Sequence, residues 1–250
     1  MDIIDTHAHL DAAPFAGDLT AVLARAGAVG VERAVCVGTD LPSSERCVAL
    51  AGRFPGRVYA AVGIHPNQWA DAGPGDFPAL ERLARHPAVV AVGETGLDFH
   101  RDATARERQV GAFRRHLRLA RAAGLPVIVH ARKADEEVLA ALAEEGAGLP
   151  GVRHCFEGPA HLARRYVELG LHLSVGAAIT RPGYKKLKAA MTDIRADRLL
   201  VETDCPYQAP ASRGGQRNEP AFIVETVRAL AELRGETPEQ TAALTTANAE

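Results

Sequence analysis

A chain of 250 residues, 47% hydrophobic and 24% charged, has the composition of a globular protein long enough to bury a sizeable core. A formal net charge of −2 excludes a uniformly basic coat for nucleic acid, though it leaves room for a local basic patch. No apolar run approaches the roughly 18 residues of a membrane span, Met1-Asp2 opens no cationic and apolar leader, and Cys36, Cys47, Cys155 and Cys205 lack C-x-x-C spacing and outline no disulfide framework.

A reducing, cytoplasmic setting is therefore expected. Along the chain, short apolar runs alternate with Ala/Leu/Arg-rich helical patterns. The runs are Ile3-Ile4, Ala34–Val37, Val58–Gly63, Val89–Val92, Val127–Val129, Val152–Cys155, Leu171–Val175 and Leu199–Val201. Several are too continuously apolar for one-sided strands, which is how parallel strands covered on both faces read.

Helices are predicted between them over Asp18–Ala28, Ser44–Arg53, Phe77–Arg85, Ala105–Ala123, Lys133–Glu144, Pro159–Glu168 and Gly183–Met191, with an eighth over Pro220–Leu233. In the longest, Val110, Phe113, Leu117 and Ala120 form an amphipathic stripe, and Gly124 follows as a cap. The segment Pro238–Glu250 reads as a helix interrupted partway. Eight strand–helix units in this length predict a single domain over residues 1–250 with a (β/α)8 barrel of the TIM type. The competing doubly wound sheet lacks its G-x-G-x-x-G.

Such a barrel places its chemistry at the C-terminal ends of the strands. Those ends carry His7 and His9, then His65, Glu94, His130, His154 and Asp204 in chain order. His7 and His9, two apart on an extended strand, point the same way. The other histidines (His86, His100, His116, His161, His172) read as surface or satisfied core.

Histidines and carboxylates gathered at one opening are costly to bury without a metal ion. Four imidazoles and two carboxylates exceed the needs of one tetrahedral site, which predicts two divalent ions. Glu94, midway round the ring, is the candidate bridge between them. Asp204 would ligate one ion and take the proton of an activated water, and His65 would donate to a leaving group or grip an anionic substrate.

The motifs Ile4-Asp5-Thr6-His7-Ala8-His9-Leu10-Asp11, Gly63-Ile64-His65-Pro66, Gly93-Glu94-Thr95-Gly96-Leu97-Asp98-Phe99, Val129-His130, His154-Cys155-Phe156, Glu202-Thr203-Asp204-Cys205-Pro206-Tyr207 and Arg217-Asn218-Glu219-Pro220 span nearly the whole chain. Together they resemble the TatD family of metal-dependent deoxyribonucleases, within the amidohydrolase superfamily. The resemblance implies a two-metal hydrolase of DNA phosphodiester bonds. It assigns His7, His9, Glu94 and Asp204 to one ion, and Glu94, His130 and His154 to the second. Two departures stand out: Cys205 replaces a frequent serine and is read as inert, and the chain stops at Glu250, where the family runs on past its Asn (here Asn248), which would cut the last helix short.

Basic residues for phosphates are offered by Arg101, Arg132, Arg181, Arg213 and Arg217, whereas Lys185, Lys186 and Lys188 read as a solvated helix face. Aromatic residues at 5% are too few for a long stacking track, with Trp69 and Tyr207 the candidate platforms. Single-stranded ends are thus expected as substrate in preference to long duplex. The rival reading keeps the metals and takes a small amide, ester or lactone; a third is a binding scaffold without catalysis. An imidazole-rich donor set suits Zn²⁺, Mn²⁺ or Fe²⁺ better than Mg²⁺, the ion that the resemblance implies. A monomer is compatible with this reading.

Overall fold

The computed structural model describes residues 1–101 and 104–250. Its strands are β1 (Ile3–Ala8), β2 (Val31–Val37), β3 (Val58–Val62), β4 (Val89–Asp98), β5 (Val127–Arg132), β6 (Gly151–Arg153), β7 (His172–Val175) and β8 (Leu199–Val201). The helices are α1 (Leu19–Ala28), α2 (Leu41–Arg53), α3 (Asp76–Leu83), α4 (Arg106–Ala123), α5 (Asp135–Glu145), α6 (Ala160–Glu168), α7 (Lys185–Asp193), α8 (Ile223–Arg234) and α9 (Pro238–Ala249). The eight strands follow sequence order, each with a helix after it, and the fold class is the (β/α)8 barrel of the TIM type. Among the described residues no helix is long and apolar enough to cross a membrane. The chain divides into two compact units.

One unit comprises Met1–Val35, His154–Val167 and His172–Glu250. In it β7 and β8 pair in parallel through Leu173↔Leu199, Ser174↔Leu200 and Val175↔Val201, all six side chains buried. Past the end of β8 the chain meets β1: Asp204 N donates to the His7 carbonyl at 2.9 Å and His9 N to the Cys205 carbonyl at 2.8 Å. The hydroxyl of Thr6 donates to the Val201 carbonyl at 2.9 Å. These bonds help a strand as polar as Asp5-Thr6-His7 stay wholly buried, since they satisfy its backbone and hydroxyl groups.

Helix α9 packs on both β1 and β8. Its start is fixed by a capping box between Thr237 and Gln240, a device worth about 1 kcal/mol. The hydroxyl of Thr246 donates to the Asp2 carbonyl, and the Asn248 amide donates to the Ala196 and Leu199 carbonyls. This helix runs continuously over 12 residues, where the sequence had suggested an interruption.

The other unit comprises Cys36–Arg153 and Glu168–Leu171. Here β3, β4, β5 and β6 form a parallel ladder, with register shifts at Ala60/Ala61 and between Val92 and Thr95. Strand β4 runs on to Asp98, six residues beyond its expected end at Val92. Gly93 and Gly96, inside that extension, serve close approach. A Cβ on Gly96 would lie 2.0 Å from the His130 carbonyl oxygen, and one on Gly93 would lie 2.7 Å from the Ile128 side chain. Gly124 caps α4 in the left-handed conformation (φ 66°), as the sequence predicts. The buried face of α4 carries Phe113, Leu117 and Ala120, and with them the polar Gln109 and His116.

Candidate metal centres

In the first unit, β1 and the segment after β8 bring His7, His9 and Asp204 together, each buried. The two Nε2 atoms lie 3.4 Å apart, and Asp204 Oδ1 is 3.4 Å from His9 Nε2 and 3.9 Å from His7 Nε2. A tetrahedral ion held at about 2.1 Å from its ligands needs edges of about 3.4 Å between them. The three ligand atoms thus already form one face of such a shell, and the donor set fits a divalent ion.

Asp204 is held in the left-handed region (φ 54°), as are its neighbours Cys155 (φ 46°) and Gln208 (φ 50°). Such backbone costs of order 1–3 kcal/mol per residue and collects at functional sites. Gln208 Nε2 donates to Asp204 Oδ2 at 2.8 Å and to Cys155 Sγ at 3.1 Å. Burial pushes the Asp204 carboxyl up, but His9, His7 and His154 outweigh it and hold the group below its usual range. Asp204 is therefore a carboxylate. Burial, with Glu202 and Asp204 nearby, pushes the Cys155 thiol well up, so it stays protonated.

His154, just past β6, stacks on His7 with ring centroids 4.0 Å apart and planes 11° apart. Its Nδ1 is 3.5 Å from Oε1 of Glu202, a fully buried carboxylate that also accepts from Cys155 N at 2.6 Å. Asp5, fully buried two residues before His7, accepts from Thr203 N (2.9 Å) and the Thr203 hydroxyl (2.6 Å). Burial nevertheless raises its carboxyl to about 7. Cys205 is completely buried and bridges Ala8, in keeping with the inert reading.

In the second unit, β4 and β5 place Glu94 Oε1 2.8 Å from His130 Nδ1 and 3.5 Å from His65 Nε2. Glu94 is buried, and its backbone N–H donates to Gly38 O, while His65 N donates to Thr39 O. The β2–α2 turn thus seats both residues. His65, Asp98 and His130 each offer a ligand atom within 4.8 Å of one another. Burial raises the Asp98 carboxyl, but His130, the Asn67 amide (2.9 Å) and the His100 N–H more than offset it and hold the group far below its usual range. His116, which the sequence leaves as an ordinary helix residue, is fully buried and accepts from Ile64 N at 3.1 Å, pinning the His65 loop to α4.

The arginines offered for phosphate fare differently. Arg217 is bidentate to Asp18 (2.7 and 2.8 Å), with Phe15 under its guanidinium. Arg213 bonds Glu225 at 3.0 Å over the Phe222 ring. Arg181 donates to Ala209 O, whereas Arg101 and Arg132 are exposed. Lys185 and Lys186 are exposed on α7, the solvated face expected of them. Residues that the sequence reading gave no role are Asp5, Asn67, Asp98, Glu202 and Gln208; all but Asn67 and Gln208 stand inside the quoted motifs.

A (β/α)8 fold with imidazole and carboxylate groups clustered at its strand ends is that of a metal-dependent hydrolase. The chain belongs to the TatD related DNase family, whose model matches residues 4–250. It is similar to the metal-dependent hydrolase YabD of Bacillus subtilis, with 41% identity over 99% of this chain and 97% of that one. It is also similar to the 3'-5' ssDNA/RNA exonuclease TatD of Salmonella typhimurium, with 35% identity over 99% and 97%. Among solved structures, YJJV, a TatD homologue from Escherichia coli K12, superposes with a TM-score of 0.93 at 33% identity, covering 98% of this chain and 95% of that one.

Proposed function

We propose that this metal-dependent hydrolase is a nuclease that removes nucleotides from single-stranded ends of DNA. The observation that carries the metal chemistry is the triangle of His7 Nε2, His9 Nε2 and Asp204 Oδ1, sized for a divalent ion. Support for the substrate comes from the relative named as a single-stranded DNA/RNA exonuclease, alike over almost the full length of both chains. The ligand assignment is the one the resemblance implies: His7, His9, Glu94 and Asp204 for one ion, and Glu94, His130 and His154 for a second. Zn²⁺, Mn²⁺ or Fe²⁺ suits these donors better than Mg²⁺.

Bound ions of this kind supply Lewis acidity and lower the pKa of a nearby water. The protein supplies the rest. Asp204, kept ionised by its three histidine neighbours, is the proton acceptor. Gln208 holds its Oδ2, which leaves Oδ1 to the His7–His9 pair. His65 presents Nε2 toward Glu94, with its Nδ1 held by the Asn67 N–H, and grips the phosphate as a donor. The four cysteines, all free thiols, accord with work in the cytoplasm.

Single-turnover digestion of end-labelled DNA and RNA strands across a panel of Zn²⁺, Mn²⁺, Fe²⁺ and Mg²⁺ tests this reading. Shortening of labelled single strands from one end supports it. Faster cutting of closed circular duplex than of single-stranded ends would overturn it, and hydrolysis of small amides or lactones alone would install the rival substrate.

A further inference from the structure

We propose that Tyr207 is a stacking platform for one nucleobase of the substrate, beside the His7–His9–Asp204 cluster. This rests on the nucleic-acid reading above and adds to it the contact that holds the base. Among the described residues the large hydrophobic side chains left exposed are Met1, Val29 and Tyr207; Tyr207 is the most open, at 58%, and the aromatic one of the three. Its ring also meets a candidate metal ligand: the Tyr207 and His9 centroids are 5.8 Å apart with an interplanar angle of 66°. A base resting there would bring its own phosphate to the cluster.

The platform is built rigidly although the ring is exposed. Tyr207 N donates to Asp204 O at 3.0 Å. Its carbonyl accepts from the amide of Asn218 at 2.7 Å, and the same amide reaches Thr203 O at 2.8 Å. Asn218 is fully buried, and its own N–H returns to Pro206 O. One buried amide therefore clamps the loop that offers the ring, so little ordering remains for binding to offset.

Trp69, the other aromatic suited to the role, packs edge-on against Phe77 and His116 instead. Stacking on a phenol ring is open to every base, because every base has a π-face; the predicted contact is tolerant of sequence.

A double-mutant cycle between Tyr207 and the bases tests the proposal. The protein and its Tyr207→Ala and Tyr207→Phe variants are each given a short oligothymidylate and a series in which one base at a time near the end is replaced by an abasic site. Dissociation constants come from fluorescence anisotropy of chelator-treated protein, and KM from cleavage with metal restored. At one position the loss of the base should weaken binding by about tenfold in the unmodified protein and in Tyr207→Phe, and this penalty should vanish in Tyr207→Ala. An abasic penalty of equal size in all three proteins at every position would overturn the stacking role while leaving the nuclease reading standing. Failure of the unmodified protein to bind or cut any oligonucleotide would overturn both.

Discussion

The backbone N–H of Asn67 donates to Nδ1 of His65 across 3.0 Å. A ring nitrogen that accepts a hydrogen bond carries no proton, so His65 is the neutral tautomer with its hydrogen on Nε2, the atom 3.5 Å from Glu94. That favours a neutral donor to an anion over an imidazolium acid. His65→Gln, which keeps an N–H near the Nε2 position, should retain activity to within about tenfold, and His65→Ala should lose about a hundredfold or more. Equal losses in steady-state kcat/KM for the two variants would point to acid catalysis instead.

Gln208 reaches the oxygen of Asp204 that faces away from the histidine pair. Groups that orient a metal ligand in this way typically contribute about 10–100-fold in metal affinity or activity. Gln208→Ala is expected to weaken metal binding by that range in a chelator competition. Unchanged affinity would remove Gln208 from the metal-holding machinery.

Glu94 lies in the C-terminal half of β4 and Asp204 just past β8, both on polar positions and not among the apolar core residues. Glu94→Ala or Asp204→Asn should abolish hydrolysis while the far-ultraviolet circular dichroism stays that of the unmodified protein. A variant with full activity would refute its assigned role.

His116 carries a pH prediction. Its Nδ1–H donates to Ala112 O at 2.8 Å while Nε2 accepts from Ile64, so both nitrogens are matched to the neutral ring. Burial, joined by the charge of Arg115, pushes its pKa from 6.5 to about 4, against the pull of Ala112. A depressed folded-state pKa means that this contribution to stability is complete above about pH 6.5 and is lost as pH falls toward about 4. Urea midpoints measured across that window should fall with acidity, and less so in His116→Gln. A magnetic-resonance titration that shows the His116 ring protonating near 6.5 would contradict the assignment.

His7, His9, Glu94, His130, His154 and Asp204 were legible because parallel strands read as unbroken apolar runs, and the polar residues in or just past their C-terminal halves stand out. Boundaries failed where glycine had two meanings. Gly93 and Gly96 look like loop punctuation, and only the close approach to Ile128 and His130 shows why β4 passes through them. The arginines mark a second limit. Arg217 and its partner Asp18 are separated by 199 positions, and no local pattern signals that pairing. Gln208 stood in no motif, so nothing short of the fold could single it out.

The bonding of β1 also fixes when the histidine cluster can form. His7 and His9 come well before their backbone partners Asp204 and Cys205 in the chain, and the Thr246 hydroxyl that reaches Asp2 comes later still. The ladder of β3 through β6, by contrast, is complete within one unbroken stretch. On a growing chain that ladder can close early, while the bonds that join β1 to the Asp204–Cys205 segment wait for that segment to be made.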